Sequence, residues 1–184
     1  MFRAKLGHMS VAEPRRIILF RHAKADWPQV TDHERPLADR GRTEAAESGR
    51  RLADTGIPFD LALCSTAART RETWKLAVQE LSHRPKTVYE ERLYEASPGE
   101  LIAVLNETPD DARNVILVGH NPSVQGLAEI LPGAGAGAGS GEAREWLDRR
   151  GFATAGFAVL SFTGSWKALE PGVATLDDYW APSE

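Results

Sequence analysis

The sequence predicts an α/β fold: a three-layer α/β/α sandwich with a mostly parallel central sheet and an antiparallel edge strand. Two observations predict it. Short apolar runs of strand length alternate with longer stretches whose apolar residues recur at helical spacing. That alternation builds a parallel sheet with helices on both faces. In addition, two of the runs deliver a histidine at their carboxyl ends, where open α/β sheets bind ligands.

The elements follow in order. Ile17-Ile18-Leu19-Phe20 has the length and β-branched content of a buried strand, and Arg21-His22 ends it. Residues 1–14 read as a loose tail and 15–184 as one domain. Residues 25–40, broken by Pro28 and Pro36, read as a loop over the site. Asp39 is placed to cap a helix over 42–55, with Ala45, Ala46, Leu52 and Ala53 on its apolar side and Gly56 as its stop. Residues 61–64 form a second strand. Ser65 or Thr66 caps a helix reaching Leu81, with Ala67, Trp74, Ala77, Val78 and Leu81 inward. A third strand covers 87–89, and a short helix spans 98–106. Val115 to Val118 is the clearest strand; it runs into Gly119-His120-Asn121-Pro122, and Pro122 suits the first turn of a helix. The Gly/Ala stretch 132–141 lacks a phosphate-loop pattern and reads as a flexible linker or flap. A short helix at 142–149 and a strand at 157–160 follow, and 166–169 with 173–176 read as a closing hairpin or edge.

Composition narrows the function. The chain has 184 residues, 42% hydrophobic and 26% charged, which suits one soluble domain with a sizeable core. A net charge of −4 gives no global basic field for nucleic acid. Cys64 is the only cysteine, so an intrachain disulfide and a thiolate metal cluster are both excluded. No apolar run has the length of a membrane span, and the first 14 residues lack the apolar core of a signal peptide, so the expected compartment is the cytoplasm.

The chemistry gathers at strand ends: Arg21 and His22, then Ser65, Thr66 and Arg69, then His120 and Asn121. In a parallel sheet these loops share one edge. Arginine matches a phosphoryl group because its planar fork donates parallel hydrogen bonds and stays charged. Neutral histidine is a nucleophile near neutral pH. Singly, each residue has a plainer explanation: Arg69 could pair with Glu72 along a helix, and a lone histidine is most often structural. Their joint placement outweighs those explanations. His8, His33 and His83 are read as structural, with His33 in the loop over the site, and Cys64 as a small buried residue.

Arg21-His22 after a strand resembles the signature of the histidine phosphatase superfamily, the phosphoglycerate-mutase-like fold. Arg35-Pro36-Leu37 with Gly41, the stretch Ser65-Thr66-Ala67-Ala68-Arg69-Thr70-Arg71-Glu72-Thr73, and Val118-Gly119-His120-Asn121-Pro122 are similar to its further motifs, in order, across residues 17–131. Thr66 stands where proline is common. The Arg-His-Ala-Lys form and the short length most resemble the SixA-type phosphohistidine phosphatases. The resemblance implies a cofactor-free, metal-independent phosphatase. In it His22 forms a phosphohistidine, and Arg21, Arg69 and a protonated His120 bind the phosphoryl oxygens. Asn121 is a further phosphate-binding candidate. Larger members use a glutamate as general acid; Glu95 in Leu93-Tyr94-Glu95 is the candidate here, Glu91 its rival, and SixA-type members can lack this acid. The expected substrate is a phosphohistidine protein. The alternatives are a small phosphomonoester, a phosphomutase reaction, a phosphate-binding module without turnover, and a His22–His120 metal pair. Residues 25–40, 94–99 and 132–141 are expected to frame the pocket mouth, with Trp27 packed over it.

Overall fold

The computed structural model describes residues 13–133 and 139–183. Most of the expected N-terminal tail therefore lies outside the described residues. The elements are β1 (Arg15–Arg21), α1 (Asp39–Asp54), β2 (Leu61–Ser65), α2 (Ala68–Val78), β3 (Lys86–Glu90), α3 (Pro98–Asn106), β4 (Asn114–Gly119), α4 (Ser123–Ile130), α5 (Gly141–Arg150), β5 (Phe157–Phe162) and β6 (Thr175–Trp180). Three 3-10 turns lie at Asp32–Glu34, Glu91–Leu93 and Trp166–Ala168. No helix among the described residues is long and apolar enough to cross a membrane.

The six strands form one sheet in the order β3-β2-β4-β1-β5-β6. β3, β2, β4 and β1 run parallel, and β5 runs antiparallel to both β1 and β6. The sheet is thus mostly parallel with antiparallel pairing toward one edge, as expected. The reversed strand is one place in from that edge, because β6 turns back to lie along β5. The period of two along β1 divides the core. Ile17 and Leu19 enter one apolar cluster with Leu101, Leu127 and Leu147 of α3, α4 and α5. Ile18 and Phe20 enter the other with Leu52 of α1 and Trp74 of α2. All four β1 residues are fully buried, which is why the run carries no polar alternation.

Several local expectations are corrected. Asp39 is inside α1, not its cap; Ala38 holds the cap position, and the Asp39 carboxylate accepts from Arg42 instead. α2 starts later than expected, behind Ala67, whose side chain cannot cap. Thr70 Oγ1 bonds back to the Ser65 and Ala67 carbonyls there. α2 ends at Val78 rather than Leu81. Residues 166–169 pair with no strand: they form a 3-10 turn that buries Trp166, whose indole donates to the Ala112 carbonyl at 2.6 Å. Two ends of the Gly/Ala stretch are visible. Pro132 and Gly139 bridge Ala174 and Leu176, at the end of the sheet beside Ile17 rather than beside His22. These ends do not frame the site, and 134–138 lie outside the described residues.

α1 and α2 pack closely because α1 offers no side chain at Gly49. A Cβ there would lie 2.4 Å from the Ala77 carbonyl oxygen, a backbone atom that cannot swing away. Gly49→Ala should therefore destabilise the protein by about 1–3 kcal/mol, the ordinary cost of overpacking. A lowered urea midpoint with an unchanged slope would show it.

Candidate active site

Register builds the site. Arg21 of β1 lies opposite Gly119 of β4, and the His22 amide continues the ladder by donating to the Gly119 carbonyl at 3.1 Å. The next residues, His22 and His120, therefore leave adjacent strand ends together, with ring centroids 5.3 Å apart. β2, the other neighbour of β4, brings Ser65 and, through the first turn of α2, Arg69. The four residues expected to meet do gather at this edge, and His22, Arg69 and His120 are each buried.

The hydrogen bonds fix what each group can do. His22 Nδ1 lies 2.7 Å from the Ala23 carbonyl oxygen. A carbonyl only accepts, so Nδ1 carries the proton and Nε2 keeps a lone pair. His120 Nε2 is 2.8 Å from Ser65 Oγ. Arg21 donates to the Phe152 carbonyl at 2.7 Å. Arg69 gives one terminal nitrogen to the Asp32 carbonyl at 2.8 Å and the other to the Asp32 carboxylate at 3.0 Å. Arg21 Nε, Arg69 Nε and His120 Nδ1 are buried with no protein partner. Buried polar nitrogens without partners need an explanation. Three of them on adjoining cationic or titratable side chains describe a place for an anion.

Electrostatics agree. Burial pushes the His22 imidazole down to about 3, and its neighbours His120, Arg21 and Arg69 push the same way. Burial, then Arg69, pushes the His120 imidazole down to about 4, which favours its neutral form while no anion is bound. Burial also lowers Arg21 from its usual value. Each effect is the cost of charge gathered out of water, and an anion would relieve each of them.

Sequence reasoning missed the residue that ties the site together. Asp32 bonds Arg69, Arg35 and the Tyr94 hydroxyl. The Tyr94 hydrogen bond, with both guanidiniums behind it, holds the Asp32 carboxyl well below the usual carboxylate range. Tyr94 in turn packs edge-on against His120 at 5.6 Å and against His33 at 4.9 Å. His33 Nε2 reaches Thr66 Oγ1 at 2.9 Å, so it belongs to the rim. The only signal for Asp32 was its place three residues before Arg35, among several acids in one loop.

Other candidates stand elsewhere. Glu95 is exposed, makes no side-chain hydrogen bond among the described residues, and has φ near 58°. The turn that brings Tyr94 inward carries Glu95 outward, and Glu91 is exposed as well. Asn121 spends its side chain on Gln125 and on the Phe152 carbonyl, at 3.2 Å for the latter. It stands behind Arg21 rather than offering itself to a ligand. Trp27 does not pack down; it is 80% exposed, with the Arg35 guanidinium 3.3 Å from its ring centroid. Glu72 pairs with Arg42 and the Leu37 amide, not with Arg69. Burial pushes the Cys64 thiol up to about 12. Among the described residues no group of three or more His, Cys, Asp and Glu side chains is placed to hold a metal ion.

Two outcomes follow from the histidines. Nitrogen-15 NMR should find His22 neutral and protonated on Nδ1 at pH 5, where an ordinary histidine is cationic. Both folded-state values lie below the unfolded value of roughly 6.5, so the unfolded chain binds more protons between them. Their contribution to stability is complete above that value and is lost as pH falls toward about 4 and then about 3. Chemical denaturation across this window should show the loss, reduced when both histidines are replaced by asparagine.

Comparison with known proteins agrees with the geometry. A family profile described as the histidine phosphatase superfamily (branch 1) matches residues 17–115. An uncharacterized protein of Mycobacterium tuberculosis is 37% identical over 163 residues, covering 88% of this chain and 99% of its own. The structure of a proposed phosphohistidine phosphatase SixA from Nakamurella multipartitia superposes with a TM-score of 0.76 at 31% identity, over 93% of this chain and 98% of that one. Its counterpart from Agrobacterium tumefaciens gives 0.74 at 32%, over 92% and 99%. A SixA solved with tungstate, at 20% identity and 0.70, shares the fold over 90% and 96%. By its matched residues, its sheet order and its two strand-end histidines, the chain belongs to the histidine phosphatase superfamily, and within it is SixA-like.

Proposed function

We propose that this protein is a metal-independent phosphatase that removes phosphate from phosphohistidine, on a protein substrate, through a phosphohistidine intermediate on His22. The observation that carries this reading is the free lone pair on His22 Nε2, fixed by the Nδ1 bond to Ala23 and set among the unpartnered nitrogens of Arg21, Arg69 and His120.

Phosphoryl transfer asks for an in-line nucleophile and positive charge around the equatorial oxygens. In the first step His22 Nε2 bonds to phosphorus as the bond to the leaving nitrogen breaks. Arg21 and Arg69 hold the oxygens. The dianion raises the proton affinity of His120, which then adds a third charged donor. In the second step water attacks phosphorus, the bond to His22 Nε2 breaks with its electron pair returning to that nitrogen, and inorganic phosphate leaves with the water oxygen and both its protons. The disposition of the described carboxylates favours a leaving group that needs no carboxylic acid. Glu95 is exposed and Asp32 is held ionised, so neither is arranged to hand a proton to a leaving alkoxide. An imidazole, with a reference pKa of roughly 6.5, leaves without that help.

The test is phosphate release, with EDTA present, from a phosphohistidine-bearing protein and from a panel of phosphomonoesters. Phosphohistidine should be turned over in preference, and His22→Ala should abolish turnover while keeping phosphate binding. Arg69→Ala should lose about 10²–10³ in kcat, the usual loss for a charge-stabilising donor. Glu95→Gln should stay within about twofold, since the side chain touches none of the reacting groups. Preference for alcohol phosphates would overturn the substrate assignment, and EDTA-sensitive turnover would overturn metal independence. A folded protein with no turnover would leave a phosphate-binding module.

Asp32→Asn should lower kcat/KM by about tenfold or more, because it weakens the charge-assisted bonds that orient Arg69. Steady-state kinetics against phosphohistidine, with a folding check by circular dichroism, would measure it.

A further inference from the structure

The side chains of β2 alternate between the two halves of the core. Leu61 and Leu63 enter the cluster beside α3 and α4, and Ala62 and Cys64 enter the one beside α1 and α2. The next position on the Leu61/Leu63 side is Ser65. The strand is buried along its whole length, so the alternation leads to an apolar residue there, yet a fully buried hydroxyl stands in its place. That hydroxyl is not spent on capping. The cap position of α2 belongs to Ala67, and Ser65 Oγ accepts only a long bond, 3.4 Å, from the Ala67 amide. Its one close partner among the described residues is His120 Nε2, at 2.8 Å. A buried polar atom committed to a ring of the candidate active site calls for a reason.

Counting protons shows which group donates. A hydroxyl carries one proton and two lone pairs, and a neutral imidazole carries one proton. If Nε2 held the ring proton, it would donate to Oγ, and the hydroxyl proton would be buried with no acceptor among the described residues. His120 Nδ1, buried without a protein partner, would then turn a lone pair toward an incoming anion. If instead the hydroxyl donates to Nε2, its proton is used and Oγ still has a lone pair for the Ala67 amide. The ring proton then sits on Nδ1. The first arrangement strands two polar groups; the second strands only Nδ1–H, which an anion satisfies. Unpaired buried groups are what such a site can least sustain, so the second arrangement is favoured.

The contrast with His22 is one of chemistry. The Ala23 carbonyl can only accept, so it keeps the proton on the nitrogen that it touches and leaves a lone pair on the other. The Ser65 hydroxyl donates, so it keeps the proton on the nitrogen that it does not touch. Two adjacent rings thus offer opposite groups, a lone pair for phosphorus and an N–H for an oxygen. A hydroxyl also rotates. When a bound dianion draws a second proton onto the ring, Oγ can accept from Nε2–H, and the ring keeps its place.

We propose that Ser65 is the positioning residue for His120: by donating to Nε2 it sets the neutral tautomer that presents Nδ1–H to a bound phosphoryl oxygen. The reaction step it serves rests on the phosphatase reading; the tautomer does not.

The test is nitrogen-15 NMR at pH 7, which separates protonated from bare ring nitrogens. In the wild type, His22 and His120 should both carry their proton on Nδ1. In Ser65→Ala, His120 should shift toward the Nε2–H tautomer, while His22, held by the Ala23 carbonyl, should not change; a loss of folding would move both rings and the circular dichroism. By calorimetry Ser65→Ala should bind inorganic phosphate about tenfold more weakly, the loss of one charge-assisted bond, with a similar fall in kcat/KM. Ser65→Thr, which keeps the hydroxyl, should restore the tautomer and most of the binding. A neutral wild-type His120 protonated on Nε2 would overturn the proposal. So would a His120 tautomer unchanged in Ser65→Ala, or phosphate binding in that variant as tight as in the wild type. The expected tautomers and phosphate binding in a wild type that turns over no substrate would support the role of Ser65 while overturning the phosphatase reading.

Discussion

The parallel pairing of β1 with β4 is the constraint from which the site follows. A one-residue slip would exchange the faces of every β1 side chain and carry the Ile17/Leu19 pair out of the α3–α4 side of the core. Both strands are buried throughout their apolar runs, so that slip is expensive and the register is firm. The alignment of Arg21 with Gly119 then leaves His22 and His120 adjacent. The hydrophobic core, which takes no part in chemistry, thereby sets the spacing of the two imidazoles.

What the core sets in place, the surrounding charges hold under tension. Two guanidiniums and two imidazoles are crowded out of water, and both histidines respond by giving up their charge. Asp32 offsets part of this. It neutralises Arg69 from outside the pocket without taking its Nε, and Tyr94 keeps Asp32 ionised. A site built this way is electropositive yet lightly protonated. It attracts an anion while preserving a nucleophilic nitrogen.

The parts legible in the sequence were those written in short-range pattern. Ile17–Phe20 and Val115–Val118 declared themselves as buried strands because they are apolar, short and bounded. Arg21, His22 and His120 were legible because they directly end such runs. Glu95 and Asn121 were singled out by the same adjacency, which does not say which way a side chain turns: Glu95 stands exposed on left-handed backbone, and Asn121 bonds Gln125 and the Phe152 carbonyl. Asp32 was hidden because its partners Arg35, Arg69 and Tyr94 are brought together only by the tertiary fold. Trp166 looked like the start of a strand by composition, yet its indole finds the Ala112 carbonyl only when its segment folds as a turn. β5 could be recognised as a strand but not as the reversed one, since direction is a property of the connection and not of the run.

Much of the orienting in this site is done by the main chain. The Ala23 carbonyl sets the His22 tautomer, the Phe152 carbonyl steadies Arg21, and the Asp32 carbonyl takes one nitrogen of Arg69. A carbonyl is present whatever side chain its residue bears. These supports therefore do not depend on what the side chains at positions 23 and 152 are, although both are packed in the core. What the arrangement would not tolerate is a change in loop length, which moves the carbonyls themselves. Drift in such a lineage should run through exchanges of residue type around a loop framework of fixed length.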